Sequence, residues 1–166
     1  NGMKHLYQFY RGREDFFRTT IPFLRLGLEN REACLWILSQ AIGVLEAVEA
    51  FRLDPLIRFI ENGQLCVLAA ERWYLDRGRF SGRRALKKLS DFVEERKRRG
   101  FSAFRVVGDV GWLEDEDWSE FQRYESEVQP WIQSGHIVAL CAYPIQRGSV
   151  AQTKDILDRH DSVFLT

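Results

Sequence analysis

The sequence lacks the features that mark several large classes of protein. Its 166 residues include 24 basic and 24 acidic side chains, and a net charge of zero does not indicate a global attraction to nucleic acid or to an anionic membrane. No apolar run approaches the length of a membrane span, and no signal peptide opens the sequence. We therefore expect neither a direct nucleic-acid partner nor a membrane partner.

The motifs of catalytic and metal sites are also missing. There is no nucleophile elbow, no paired-carboxylate motif and no cysteine pair with the C-x-x-C spacing of a strong metal motif. The scattered metal-ligand types are His5, His136 and Cys141, and both histidines lie near the amino ends of predicted strands. That is the wrong side of a parallel sheet for a ligand site. The sequence therefore predicts no catalytic residue, no metal and no cofactor.

Cysteine is scarce, and its positions indicate a cellular compartment. The three cysteines, Cys34, Cys66 and Cys141, each lie inside an apolar, strand-like run. An odd number of cysteines at such positions is typical of buried thiols in a reducing environment. We therefore expect a cytoplasmic protein.

The chain does contain a regular alternation of apolar runs and amphipathic segments. The segments between the strand-like runs have helical periodicity. The length of the chain is that of one domain, which we expect to cover residues 1–166. The alternation predicts an α/β three-layer sandwich with a mostly parallel central sheet. The five predicted strands are residues 4–10, 33–39, 65–70, 104–109 and 137–143, and residues 163–165 are either a sixth strand or a frayed end.

Finer details of the helices follow from individual residues. Proline inside a helical pattern predicts that the helix of residues 11–30 is kinked or split at Pro22, and that the last turn after Pro130 is bent or separate. Asp54-Pro55 predicts a helix start. Asp117 followed by Glu120 predicts a capping box, Ser81 predicts a helix cap, and residues 71–80 read as an aromatic and charged loop.

The loop after the first strand carries the main functional argument. In a nucleotide-binding fold of this layout, that loop holds phosphate, and here it reads Arg11-Gly12-Arg13-Glu14-Asp15. It contains neither G-x-x-x-x-G-K-[ST] nor G-x-G-x-x-G. The pattern indicates a nucleotide-binding architecture without its nucleotide loop, and hence a binding or sensing module and not an enzyme.

A ligand site is expected where the carboxyl ends of the parallel strands meet. Aromatic side chains are concentrated there, and aromatic walls with a few polar groups suit a small organic ligand. The alternative is that these rings only cover the open end of the sheet. The candidate wall is Tyr10, Trp73, Tyr74, Trp112 and Tyr143, with Arg13 and Asp109 as polar anchors.

Two further features have alternative interpretations. Asp109 at a strand end resembles the acid that holds magnesium in an ATPase, but without a phosphate loop it is better explained as a cap for the following loop or as a salt-bridge partner. A run of basic side chains is either a nucleic-acid patch or, as we favour, a solvated helix face. Its members are Arg77, Arg79, Arg83, Arg84, Lys87 and Lys88.

Several stretches together resemble the MEDS domain, a sensory domain of methanogens and methylotrophs. They cover residues 4 to 160 in the family's order and spacing, and one departure is Val110, where the family has methionine. The stretches are His5-x-Tyr7, the Pro22–Cys34 segment ("fl-x-x-GL-x-x-gE"), Tyr74-Leu75-x-x-Gly78-x-Phe80, Arg105-x-x-Gly108-Asp109-Val110-x-Trp112, and the last core strand Ile137–Tyr143 ("lC-x-Y").

The resemblance implies a fold similar to RecA- and KaiC-type ATPases with the phosphate loop lost. It implies a signal-input domain from a longer signalling protein, attached to or partnered with a histidine kinase, a PAS domain or a DNA-binding output domain. It also implies that the ligand is a small organic molecule such as a hydrocarbon derivative.

Two other functions remain open from the sequence. A degenerate RecA-like ATPase can serve as a protein–protein scaffold, which is compatible with a homodimer. A residual nucleotide-binding enzyme would use Asp109 and the Arg11–Arg13 loop, and the missing P-loop lysine makes it the weakest alternative.

Overall fold

A computed structural model describes residues 4–52, 57–146 and 148–163. The Asp54-Pro55 helix start lies outside these residues. In chain order the elements are β1 (His5–Tyr10), α1 (Arg13–Glu29), β2 (Ala33–Leu38), α2 (Val44–Arg52), α3 (Ile57–Glu61), β3 (Leu65–Ala69), α4 (Ala70–Tyr74), β4 (Leu75–Asp76), β5 (Arg79–Phe80), α5 (Gly82–Arg98), β6 (Phe104–Asp109), α6 (Trp118–Ser134), β7 (Ile137–Pro144), α7 (Val150–Arg159) and β8 (Ser162–Val163), with a 3-10 turn at Asp115–Asp117 before α6.

The central sheet is parallel throughout, in the order β3-β2-β6-β7-β1-β8. This confirms the predicted α/β three-layer sandwich. A sixth strand, β8, pairs with β1 through Leu6 opposite Ser162 and Tyr7 opposite Val163. It shares Val163 with the predicted range, and residues 164–165 of that range lie outside the described residues.

Two apolar cores lie on opposite faces of the sheet. Each residue of β2 is buried, and its side chains alternate between the faces because successive residues of a strand point to opposite sides. Trp36 packs with Phe16 of α1 and Phe51 of α2 on one face. Ile37 belongs to the other core, which α4, α5 and α6 cover.

The prolines do not divide their helices. The single helix α1 contains Pro22, and α6 contains Pro130, so neither helix is split. A kink at Pro22 and a bent last turn after Pro130, the other two alternatives, stay predictions. Pro22 is exposed, whereas its neighbours Phe23 and Leu24 are buried, so packing holds the helix together across the missing hydrogen bond.

The expected loop at residues 71–80 is instead a short helix followed by a hairpin. In the hairpin Leu75 pairs with Phe80 and Asp76 pairs with Arg79. The two turn residues, Arg77 and Gly78, have φ angles of 51° and 81°. Positive φ at both positions is the signature of a type I′ turn, which matches the twist of two paired strands.

The hairpin also explains why the predicted capping box at Asp117 is wrong. The Asp117 side chain makes no capping hydrogen bond and instead accepts one from Arg79 Nη2 at 2.8 Å and one from the Phe80 backbone amide at 3.4 Å. Glu120 accepts a bond from the Gly82 amide. Ser81, by contrast, caps α5 as predicted, through the Arg84 amide.

Candidate functional site

A cleft opens at the carboxyl ends of β6 and β7. Its volume is about 330 Å³, and it lies between the loop after β6, the end of β7 and the first two turns of α7. Its walls combine apolar side chains with amides and two carboxylates, and no lysine or arginine is among the described lining residues. The lining is Val110, Leu113, Glu114, Asp115, Trp118, Tyr143, Pro144, Gln146, Gly148, Gln152, Thr153 and Ile156.

The candidates named from the sequence do not all meet in this cleft. Tyr143 lines it, while Trp73 and Tyr74 line a separate internal cavity of about 40 Å³ beneath α5 and α6. A cavity of that size holds water but is far smaller than the roughly 300–1,000 Å³ of ordinary ligand sites. The cleft is therefore the better match for an organic ligand.

Trp112 and Tyr74 belong to an aromatic layer in the core. Their rings stack with centroids 4.6 Å apart, and Phe80 lies 5.3 Å from Trp112. Phe121 and Tyr124 complete the layer. With Trp112 only 8% exposed, this part of the candidate wall is packed against protein.

Tyr10 and Asp109 form a buried polar network at the same edge of the sheet. The Asp109 carboxylate accepts hydrogen bonds from Tyr10 Oη at 2.8 Å, from both the amide and the hydroxyl of Ser39, and from the Gly111 amide at 3.0 Å. These bonds use the roughly four acceptor positions of a carboxylate. The bond to Gly111 confirms that Asp109 caps the loop after β6.

Burial raises the pKa of the Asp109 carboxyl above its usual value, and the hydrogen bonds from Ser39, Gly111 and Tyr10 offset only part of the rise. The folded protein therefore binds this proton more tightly than the unfolded chain does. The contribution of Asp109 to stability grows as pH falls through the folded pKa, and it levels off below the unfolded value of about 3.9.

Asp109→Asn should remove this pH dependence. We expect the variant to be less stable than the wild type by about 1–3 kcal/mol at pH 7, because the amide cannot accept all four bonds. The difference should widen between pH 7 and pH 4, since only the wild type gains from protonation. Urea unfolding of both proteins across this range measures it, and parallel stability curves would contradict the assignment.

Arg13 lies at the start of α1, on the surface. Its guanidinium donates a 3.3 Å hydrogen bond to the Ala41 carbonyl and lies 4.0 Å from the Glu46 carboxylate. It therefore lies near the start of α2, next to Ala41 and Glu46, and it is not among the cleft-lining residues.

Sequence reasoning missed most of the polar groups of the cleft. Gln146 directly follows β7, whereas Gln152, Thr153 and Ile156 come from α7, which the sequence analysis did not connect with the site. Gln152 donates a 3.2 Å bond to Asp115 across the cleft, and it also completes the capping box with Ser149. The signal that could have found them is the position of α7 directly after a strand end.

Within the described residues, no helix is long and apolar enough to cross a membrane.

The solved structures include a similar chain, the flagellar accessory protein FlaH from Methanocaldococcus jannaschii, with 14% sequence identity and a TM-score of 0.54. The match covers 98% of this chain and 71% of FlaH. The molecule thus has a RecA/KaiC-like α/β fold, without the phosphate-binding loop of an ATPase.

The sequence profile of the family described as "MEthanogen/methylotroph, DcmR Sensory domain" matches residues 4–161, so the chain belongs to the MEDS family of sensory domains. A curated relative is the transcriptional repressor DcmR of Methylorubrum extorquens, which is 26% identical over 152 residues. The match covers 89% of this chain and 54% of DcmR, so the chain spans about half the length of that relative. These matches support a regulatory signal-input role.

Proposed function

We propose that this domain is a non-catalytic signal-input module that binds a small organic ligand in the cleft and relays binding to an attached or partner output module. The observation that carries the proposal is the cleft of about 330 Å³ at the carboxyl ends of β6 and β7. In a sensory-domain family with a parallel α/β sheet, that edge is where ligands are expected.

The cleft chemistry favours an uncharged ligand of hydrocarbon-derivative type. Trp118, Tyr143 and Ile156 offer apolar surface, while Gln146 and Thr153 can donate or accept hydrogen bonds. The sequence contains neither of the glycine-rich phosphate-binding motifs, which argues against a nucleotide as the occupant.

In this proposal Tyr143 contacts the ligand directly, and most of the other candidates named from the sequence support the cleft without contacting the ligand. Tyr74, Trp112 and Trp73 support the packed layer under the cleft, and the Tyr10–Asp109 network fixes the loop that begins at Val110. Arg13 would take part only if the ligand extended toward β1.

The relay would pass through α7. This helix contributes Gln152, Thr153 and Ile156 to the cleft, and it is followed by β8 beside β1. Asp161, between α7 and β8, accepts hydrogen bonds from the backbone amides of Lys4 and His5 at 2.8 Å. A shift of α7 on ligand binding would therefore move the edge of the sheet, where a histidine kinase, PAS or DNA-binding module could detect it.

A blocked cleft should abolish ligand binding. The test is a thermal-shift screen of small uncharged organic compounds on the wild type, on Gln146→Trp and on Ile145→Trp. A ligand at 100 times its Kd should raise the wild-type Tm by about 5–10 °C. Gln146→Trp places an indole in the cleft and should lose the shift. Ile145 is 53% exposed and lies beside the lining, so Ile145→Trp is the matched control and should keep the shift.

Equal shifts in the two tryptophan variants would contradict binding in the cleft. If no compound shifts the wild type and native mass spectrometry of the freshly purified domain shows no bound mass, the scaffold function is favoured instead, most of all if the spectrum shows a stable dimer.

A further inference from the structure

Four side chains with metal-binding atoms converge beneath α6 and α7. His5 is the first residue of β1, Cys141 lies in the adjacent strand β7, Glu125 lies in α6, and His160 directly follows α7. One ligand atom from each lies within 4.8 Å of the others. One ligand comes from residue 5 and the other three come from residues 125–160, and none of the four lines the cleft.

The spacing within the cluster is that of a coordination shell. His5 Nε2 lies 3.4 Å from Cys141 Sγ and 3.3 Å from Glu125 Oε2, and His160 Nε2 lies 3.9 Å from the same carboxylate oxygen. Metal bonds of 2.0–2.3 Å at tetrahedral angles place neighbouring ligand atoms roughly 3.3–3.8 Å apart.

Both histidines are oriented as metal ligands usually are. His5 Nδ1 lies 2.5 Å from the side-chain oxygen of Gln129, and His160 Nδ1 donates to the Ile156 carbonyl at 2.7 Å. Donation through Nδ1 leaves a lone pair on Nε2, and in both rings Nε2 is the atom that faces the cluster.

The centre of the cluster also contains unsatisfied polar atoms. Glu125 Oε2 and His160 Nε2 are buried, and neither has a hydrogen bond of good geometry to a described residue. His5 Nε2, at 3.3 Å from Glu125 Oε2, is within ion-pair distance but is not aligned for a hydrogen bond. Glu125 is only 6% exposed, and Tyr124 and Val128 line the same apolar cavity beside it. A buried carboxylate oxygen without a hydrogen bond is costly unless a cation or another ligand satisfies it.

We propose that His5, Glu125, Cys141 and His160 bind one zinc-type transition-metal ion. Two imidazoles, a thiolate and a carboxylate form a donor set that suits a borderline-soft divalent ion, whereas Ca²⁺ and Mg²⁺ prefer oxygen ligands alone. The thiolate and the carboxylate together cancel the charge of the ion, so the complete site is neutral in its apolar surroundings. Binding releases the thiol proton to solvent.

The site goes beyond the proposed function and does not depend on it. It would join β1, β7, α6 and the end of α7 through a single ion. Because metal binding free energy is also folding free energy when the unfolded chain has no preformed site, the ion would fix α7 against the sheet.

The test is a Co²⁺ titration of the full 166-residue chain after removal of metal with a chelator. We expect about one ion per chain, with d–d bands of a four-coordinate site and a sulfur-to-cobalt charge-transfer band. Cys141→Ser should remove the sulfur band, and His160→Gln should weaken Co²⁺ affinity more than about 100-fold. Zn²⁺ should displace Co²⁺ and bleach both bands.

Matched controls use the same residue types outside the cluster. Cys66 is partly buried in β3, and His136 is exposed at a turn, so Cys66→Ser and His136→Gln should keep the complete spectrum. Far-UV circular dichroism shows whether each variant is folded. If Cys141→Ser does not fold, the Co²⁺ affinity of His160→Gln is the test of the site. A wild type without Co²⁺ absorption, or a spectrum that survives both cluster substitutions, overturns the proposal.

Discussion

Glu32→Ala should destabilise the protein by about 3–5 kcal/mol, because it leaves a buried guanidinium without its counter-charge. The Arg105 side chain is only 8% exposed, and it binds the Glu32 carboxylate through two nitrogens, Nε at 2.6 Å and Nη2 at 3.1 Å. Arg105 also donates a 3.3 Å hydrogen bond to the Phe23 carbonyl, and its guanidinium carbon lies 4.6 Å from the centroid of the Phe23 ring. Neither replaces a bidentate ion pair.

Urea unfolding of Glu32→Ala measures this loss, and Glu29→Ala is the matched control. Glu29 is the exposed last residue of α1, three positions before Glu32, so its removal should change stability by less than about 0.5 kcal/mol. The double variant Glu32→Leu with Arg105→Met should recover much of the loss, since replacing both charges leaves none unpaired. Similar stabilities for the two single variants would refute the assignment.

The same ion pair explains a glycine inside α1. A Cβ at Gly27 would lie 2.6 Å from Arg105 Nε and 2.7 Å from Glu32 Oε2. Glycine within a helix ordinarily costs about 0.5–1 kcal/mol relative to alanine. Here the close approach of the ion pair outweighs that cost, and this accounts physically for the glycine, glutamate and arginine that carry the family resemblance.

Trp112→Ala should cost about 3–5 kcal/mol through the cavity that it leaves in the aromatic layer. The Trp112 ring stacks on Tyr74 and also contacts Phe80 and Phe121, with its centroid 5.9 Å from that of Phe121. These neighbours belong to different elements, so they cannot close the space without moving α4, the hairpin and α6 relative to one another.

Trp131→Ala provides the comparison for the same chemical change. Trp131 is 39% exposed on α6, so its removal should cost well under half as much as removal of Trp112. Denaturant midpoints of the two variants are the measurement. A smaller loss for Trp112 than for Trp131 would show that the layer repacks, and ligand-binding data on Trp112→Ala should be interpreted only after this stability effect is known.

Local signals predicted the fold well. The β6 boundaries agree with the predicted strand at residues 104–109, because a short apolar run bounded by turn residues is a strong local pattern. The apolar run at residues 33–39 likewise contains β2, in which each residue is buried. The partners of individual side chains were harder to predict from the sequence. Asp117 fits a capping-box pattern, but its carboxylate binds the hairpin instead.

The site could be predicted only in part, because its residues meet through tertiary structure. The carboxyl edge of the sheet was inferable from topology, but Gln152 and Thr153 reach the cleft only through the placement of α7. The same limit applies to the proposed metal cluster. His5 and Cys141 were considered from the sequence and set aside for lack of local spacing. Glu125 lies on α6 and His160 directly follows α7, and periodicity alone cannot position these two helices.

The position of β1 in the sheet has a consequence for synthesis of the chain. Among the described strands, β1 pairs only with β7 and β8, which begin at Ile137 and Ser162. This strand, the first of the domain to be synthesised, therefore gains a neighbour only when the strands that begin at Ile137 and Ser162 have been made, and closing so long a loop is slow. A nascent chain that stalls before Ile137 would carry β1 with both edges unpaired, and it would be a natural substrate for chaperones.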